Sequence, residues 1–213
     1  MNKNILITQV GSLQTNCYII YCEKTKKCAI IDPGAEFEKI LKKINALNLI
    51  PEYILLTHAH YDHIGSVAEF LNKYKAHNLK LGCYLSEADI LRNPAYNYSS
   101  VLHTSQVSLT PAITFKDGDI VNIGDEVKLE VIHTPGHTQG GCCYKYDEKV
   151  IFSGDTLFLE SIGRTDLQSG SAEELFNSIK NKLFKLNDNI VVLPGHGPHT
   201  TIGHEKENNI YLK

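Results

Sequence analysis

What the chain lacks narrows its class first. No apolar run exceeds the six residues Cys17–Cys22, far short of the roughly 20 a membrane helix requires. The first ten residues hold no long apolar core, and no small-residue cleavage site follows them; no secretory signal is expected, and a cytoplasmic protein is. Neither sign of charge is in excess: 21 basic residues stand against 24 acidic ones, net −3. That balance leaves no electrostatic footprint for nucleic acid or an anionic membrane, and the clusters Lys24/Lys26/Lys27 and Lys42/Lys43 read as solvated faces. Cysteine is scarce, six residues with no C-x-x-C spacing, which argues against a zinc-thiolate or thioredoxin-type site. Cys17, Cys22, Cys28, Cys83, Cys142 and Cys143 sit within or beside apolar stretches and read as reduced core thiols, a disulfide pair being the alternative.

What is present is ordinary globular composition, 42% hydrophobic and 21% charged, which excludes disordered and collagen-like chains. The 213 residues fit one medium domain or two small ones. No low-complexity tract or linker divides them, so one domain over 1–213 is expected.

Turn residues punctuate the apolar segments. Ile5–Val10, Asn16–Cys22 and Lys27–Ile31 read as strands, and Asp32-Pro33-Gly34 ends the third and starts a helix. Phe37, Ile40, Leu41, Ile44 and Leu47 keep the spacing of one apolar helical face, which Pro51 breaks. Tyr53–Leu56 is a short buried strand running into Thr57–His63, after which Val67, Phe70, Leu71 and Tyr74 recur at helical spacing. Leu79–Leu85 reads as a strand, Ser86–Leu91 as a short helix and Asn93–Ser100 as a loop. Ile120–Ile123, Val127–Ile132, Gly141–Tyr146 and Val150–Phe152 are further strands. Ser171 with Glu174 forms a capping box for a last long helix, with Leu175, Ile179, Leu183 and Leu186 on one face. Ile190–Leu193 is a final buried strand before Pro194–Gly197. Strands and helices thus alternate in each half, and in both halves a strand ends in a histidine-bearing turn. The expected class is α/β, two similar layered halves packed sheet on sheet with helices outside.

The ten histidines are unevenly placed. Three fall within His58–His63, with Asp62 among them. In an extended segment alternate residues share a face, so His58 and His60 point the same way. Imidazoles so presented suit zinc, and Asp62 with His63 can serve a neighbouring ion. A lone H-x-H reads as a polar loop; four ligating residues straight after a buried strand outweigh that reading. His137 in Thr134-Pro135-Gly136-His137-Thr138, Asp155 in Ser153-Gly154-Asp155 and His196 in Pro194-Gly195-His196-Gly197 each follow a strand. Any one alone reads as a turn residue. Together, five histidines and two aspartates at the ends of apolar strands are what a dinuclear site on one sheet edge needs.

These residues resemble the metallo-β-lactamase fold hydrolases, whose H-x-H-x-D-H hallmark stands here as His58-Ala59-His60-Tyr61-Asp62-His63. Later family motifs match at His137, Asp155 and His196, and the match is collinear from Leu13-Gln14-Thr15-Asn16 and Ile31–Gly34 to Pro194–Gly197. The resemblance implies the four-layer αββα sandwich. It places His58, His60 and His137 on one metal and Asp62, His63 and His196 on the other, with Asp155 bridging. The cofactors it implies are two divalent ions, zinc first, with iron or manganese as alternatives. Gly154–Phe158 and Ser161–Leu167 are most similar to the glyoxalase II-like (hydroxyacylglutathione hydrolase-like) branch, especially its short bacterial members. Asp155 stands where thiol-liganded β-lactamases carry Cys, which argues against an antibiotic hydrolase. Full-length glyoxalase II has a C-terminal helical domain that grips glutathione, whereas 17 residues follow His196 here.

The implied activity is metal-dependent hydrolysis of a small anionic thioester of the hydroxyacylglutathione type. Coordination brings the pKa of water from 15.7 to near 7, worth about 12 kcal/mol at roughly 1.36 per unit. Asp62 would orient the hydroxide, residual positive charge would stabilise an oxyanion, and a thiolate departs with little help. Arg164, Tyr96 and Tyr98 are candidates for substrate contact, although an Arg164–Asp166 salt bridge and a surface loop packed on its own tyrosines are the readings the sequence favours. Asp32 is either a hydrogen-bond acceptor behind the ligands or a helix cap. His77, His103, His133, His199 and His204 are expected at the surface or behind the site. The alternatives are a mono-iron persulfide (sulfur) dioxygenase, whose members resemble this chain in Gly163–Asp166, and a lactone or ester hydrolase. A nuclease is disfavoured by the charge. A non-catalytic zinc module is disfavoured because structural sites close with four ligands.

Overall fold

The computed structural model describes residues 3–102 and 106–213. Strands β1 (Ile5–Val10), β2 (Thr15–Tyr21), β3 (Lys27–Ile31), β4 (Ile50–Leu55), β5 (Lys80–Tyr84) and β6 (Ile113–Phe115) form one sheet in sequence order. Strands β7 (Ile120–Ile123), β8 (Val127–His133), β9 (Cys142–Tyr146) and β10 (Val150–Gly154) belong to a second. After a hairpin of β11 (Leu157–Phe158) and β12 (Ser161–Ile162), β13 (Val191–Pro194) and β14 (Thr200–Thr201) complete that second sheet, ordered β14-β13-β10-β9-β8-β7. Helices α1 (Phe37–Ala46), α2 (Tyr61–Ile64), α3 (Val67–Lys73), α4 (Ala88–Arg92) and α5 (Ser99–Leu102) accompany the first sheet in sequence; α6 (Ala172–Asn181) and α7 (Ile202–Asn208) accompany the second.

Alternation along each strand builds the layers. The longest apolar run has to be apolar on both faces, because each face meets a core. Cys17, Ile19 and Tyr21 join Ile40, Ile44, Val67 and Phe70 of α1 and α3 in one cluster. Tyr18, Ile20 and Cys22 join Leu129, Val131, Tyr144 and Phe152 of the other sheet in a second. Cys143, Ile151 and Val192 turn outward, onto Leu175 and Ile179 of α6 and Ile202 of α7. The order is helix, sheet, sheet, helix, as expected. All six cysteines are free thiols within these layers. Among the described residues no helix is long and apolar enough to cross a membrane.

Several expected boundaries move. Pro51, expected to end a helix, lies inside β4 opposite Cys28, and the register shifts there so that Ala29 faces Tyr53; proline, lacking an N–H, is accommodated at such a bulge. The segment Asn93–Ser100 is not all loop, since Ser99 opens α5. Ser171 caps α6 by accepting from Glu174 N as expected, but the helix stops at Asn181, and Leu183 enters a tighter turn, Leu183–Lys185. Strands β6 and β14, the β11–β12 hairpin and α7 carried too few periodic residues to be read in advance.

Candidate metal centre

Asp32 and each expected ligand stand where a strand has just ended: Asp32 after β3, Thr57–His63 after β4, Thr134–His137 after β8, Asp155 after β10 and His196 after β13. Hydrogen bonds between the sheets hold these ends together. Cys142 N donates to Thr57 O (2.9 Å) and Asn16 N to Gly195 O (2.7 Å). The Tyr144 hydroxyl donates to Leu56 O (2.8 Å) and the Tyr18 hydroxyl to Pro194 O (2.7 Å).

All seven expected ligands converge. Ligating atoms of His58, His60 and His137 lie within 4.8 Å of one another, as do those of Asp62, His63 and His196, and those of His58, His63 and Asp155. Asp155 stands between the groups, its oxygens 3.5 Å from His63 Nε2 and 3.6 Å from both His137 Nε2 and His196 Nε2.

The surroundings orient the rings. His137 Nδ1 faces Arg164 O at 2.8 Å, and His196 Nδ1 faces Leu13 O at 3.0 Å. His63 Nδ1 faces Asp32 Oδ2 at 2.9 Å. Carbonyls and carboxylates only accept, so each Nδ1 carries a hydrogen, and each ring turns its Nε2 into the cluster. Asp32 thereby resolves as an acceptor behind His63; it also takes Thr57 N (2.8 Å) and Thr57 Oγ1 (2.6 Å), while the N-cap position of α1 falls at Glu36, whose side chain makes no capping bond. Thr15 Oγ1 donates to Asp62 Oδ2 at 2.9 Å. Thr15 and Thr57 were missed in the sequence as orienting groups, although each abuts a motif that was noticed.

Burial, reinforced by neighbouring imidazoles, holds His58 and His60 well below the usual histidine range, in the neutral form that ligates metals. Burial acts in the same direction on His63, but Asp62, Asp155 and Asp32 overcome it and raise that ring to about 10. The carboxylates thus demand positive charge in this cluster, which a divalent cation meets as a proton does. His60 Nδ1 and His58 Nε2 lie 2.9 Å and 3.2 Å from His137 Nε2. His60 Nε2, His63 Nε2 and Asp155 Oδ1 are buried without a hydrogen-bond partner, an arrangement native structures rarely leave unexplained. Imidazole nitrogen with carboxylate oxygen is a donor set suited to zinc, iron or manganese. The residues fit a pair of divalent ions.

Residues 10–196 match the pattern of the Metallo-beta-lactamase superfamily. The chain belongs to this superfamily. It is similar to the hydroxyacylglutathione hydrolase GloC of Haemophilus influenzae, 37% identical over 213 residues and covering 98% of each chain. The crystal structure of the BLEG-1 B3 metallo-beta-lactamase superposes with TM-score 0.90 at 37% identity, covering 98% of this chain and 99% of that one. TTHA1623 in a di-iron-bound form gives TM-score 0.83 at 33% identity, covering 97% and 100%. The αββα metallo-β-lactamase fold and metallo-hydrolase chemistry follow from this membership.

Here the fold leaves a cavity of about 490 Å³ over the cluster, with His60, Asp62, His137, Asp155 and His196 in its lining. Leu13, Phe158, Ile162 and Leu167 give it an apolar wall, and Tyr98 and Arg164 complete the rim. The Tyr98 ring lies 5.3 Å from that of His60, and its hydroxyl accepts from Gln168 N at 2.9 Å. Arg164 grips both oxygens of Asp166 at 2.8 Å, so the expected salt bridge forms and the residue also reaches the cavity. Tyr96 does not line it: the turn that brings Tyr98 inward, with φ of 63° at Tyr98, leaves the Tyr96 ring on the surface. His133 stacks on Tyr84 at 3.9 Å and His204 pairs with Glu160 at 3.0 Å. His77 and His199 also stand outside the ligating groups, and His103 lies outside the described residues.

Gly195 has to be glycine because a Cβ there would sit 2.2 Å from Asp155 Oδ1 and 2.8 Å from His63 Cε1. Gly195→Ala is expected to lower activity about tenfold or more by pushing those two side chains apart, and metal content per chain should fall with it. Unchanged metal content and turnover would show that the close approach is idle.

Proposed function

We propose that the protein is a glyoxalase II-like thioester hydrolase with a dinuclear metal centre. His58, His60 and His137 would hold one ion, Asp62, His63 and His196 the other, and Asp155 both. The observation that carries this reading is the pair of ligating groups side by side, with buried partnerless atoms among their members, beside an apolar-walled cavity. Bound there, two divalent ions would bring the pKa of a coordinated water toward neutrality and polarise the substrate carbonyl.

The chain's own groups do the rest. Asp62, fixed by Thr15, orients the attacking water. Leu13, Phe158, Ile162 and Leu167 receive the carbon skeleton of a hydroxyacylglutathione-type thioester and exclude bulk water. Tyr98, anchored to Gln168, closes the cavity beside His60. A thiolate with a pKa near 8.5 leaves without a general acid, and this scheme assigns none. Six buried free thiols support a reducing compartment, the cytoplasm.

The test is a substrate panel run on protein of measured metal content. Thioesters, S-lactoylglutathione among them, should turn over with close to two ions per chain and faster than matched oxygen esters or lactones. One iron per chain with oxygen uptake on glutathione persulfide would establish the dioxygenase alternative instead.

A further inference from the structure

Glu87 is fully buried and has no part in the chemistry above. It closes the turn Leu85–Glu87 that follows β5. Its Oε1 accepts from Ala59 N at 2.7 Å, and its Oε2 accepts from Thr138 Oγ1 at 2.8 Å and Gly140 N at 3.0 Å. Ala59 lies between His58 and His60, and Thr138 follows His137. One carboxylate therefore spans the two segments that carry the three-histidine group, segments that extend from different sheets.

The surrounding contacts serve the same junction. Ser86 Oγ donates to Gln139 O at 3.2 Å, and Gln139 Nε2 returns a bond to Ser86 O at 3.0 Å. A Cβ on residue 140 would come within 2.3 Å of Glu87 N and 2.6 Å of its Oε2, so glycine alone permits this approach. Burying a carboxylate is unfavourable, and desolvation raises Glu87 to about 7 despite its three donors. An apolar side chain of similar volume would avoid that penalty. It would not fix the separation of the two turns.

We propose that Glu87 is a positioning residue for the three-histidine group, its carboxylate setting the distance between the His58–His60 turn and His137. This rests on the reading of that group as a metal site. The imidazoles stand on irregular turns, where partners outside the ligand set govern orientation and hence affinity. Glu87→Gln keeps the volume but must turn its NH₂ toward the N–H of Ala59 or of Gly140, breaking one side of the junction.

The experiment is a titration of metal-free protein with Co²⁺ against a competing chelator, followed by visible absorption, with melting measured in parallel. The intact chain should take two ions. Glu87→Gln should bind one with unchanged affinity and the other about 10–100-fold more weakly. Thr138→Val deletes one bond without adding a donor, and should weaken the same ion to a smaller extent; it carries the test if Glu87→Gln does not fold. A lowered melting temperature with both affinities intact, or equal loss at both ions, would overturn the role of Glu87 while leaving the metal centre standing. An intact chain that binds no ion would overturn both.

Discussion

Asp155→Ala is expected to lose at least about a thousandfold in kcat/KM for thioester hydrolysis, about 4 kcal/mol at roughly 1.36 kcal/mol per tenfold, while its circular dichroism stays native. Asp155 is the carboxylate within reach of rings from both ligating groups, 3.5–3.6 Å from His63, His137 and His196. Its loss would remove negative charge from both proposed ion positions at once. His58→Ala should behave similarly through the group His58, His60 and His137. Elemental analysis of the purified variants should find fewer than two ions per chain. Wild-type turnover in a metal-analysed sample of either variant would defeat the assignment.

The second large effect is on folding. Asp32 is almost fully buried and accepts from Thr57 N and Oγ1 while facing His63 Nδ1. Asp32→Ala leaves Thr57 N and His63 Nδ1 unpartnered and Thr57 Oγ1 with His58 Nδ1 alone at 3.2 Å, and is expected to cost about 3–5 kcal/mol. For a chain of this size that lowers Tm by roughly 10 °C, at about 2–4 °C per kcal/mol. Residue 32 has φ of 51°, a conformation asparagine tolerates better than alanine. Asp32→Asn should therefore recover part of the melting temperature but not the metal affinity, because the charge facing His63 is gone. Thermal melts of the two variants beside the parent, metal-free and metal-loaded, separate the backbone effect from the electrostatic one. Equal melting of all three would show that the carboxylate is not needed there.

The architecture was legible because burial on both faces leaves a plain signature. The run Cys17–Cys22 is apolar at every position since alternate residues serve two cores. The residues proposed as ligands were legible because metal chemistry restricts residue types, and these stand directly after strands, as at Asp155 and His196. Glu87 gave no such signal: an acid in a short amphipathic segment reads as a solvated face, and its burial depends on Thr138 and Gly140, more than fifty residues away. Tyr96 and Tyr98 were indistinguishable for a related reason, since the backbone reversal that separates them is a single left-handed residue. Pro51 misled because a bulge can absorb the missing donor.

Each ligating group draws on both halves of the sandwich. His58 and His60 hang from the first sheet and His137 from the second; Asp62 and His63 hang from the first and His196 from the second. Sliding one sheet past the other would tear both groups, so a captured cation acts as a rivet through the two layers. Cohesion of the entire body is then linked to ion supply: at a thousandfold excess over the dissociation constant, each ion adds about 4 kcal/mol against unfolding.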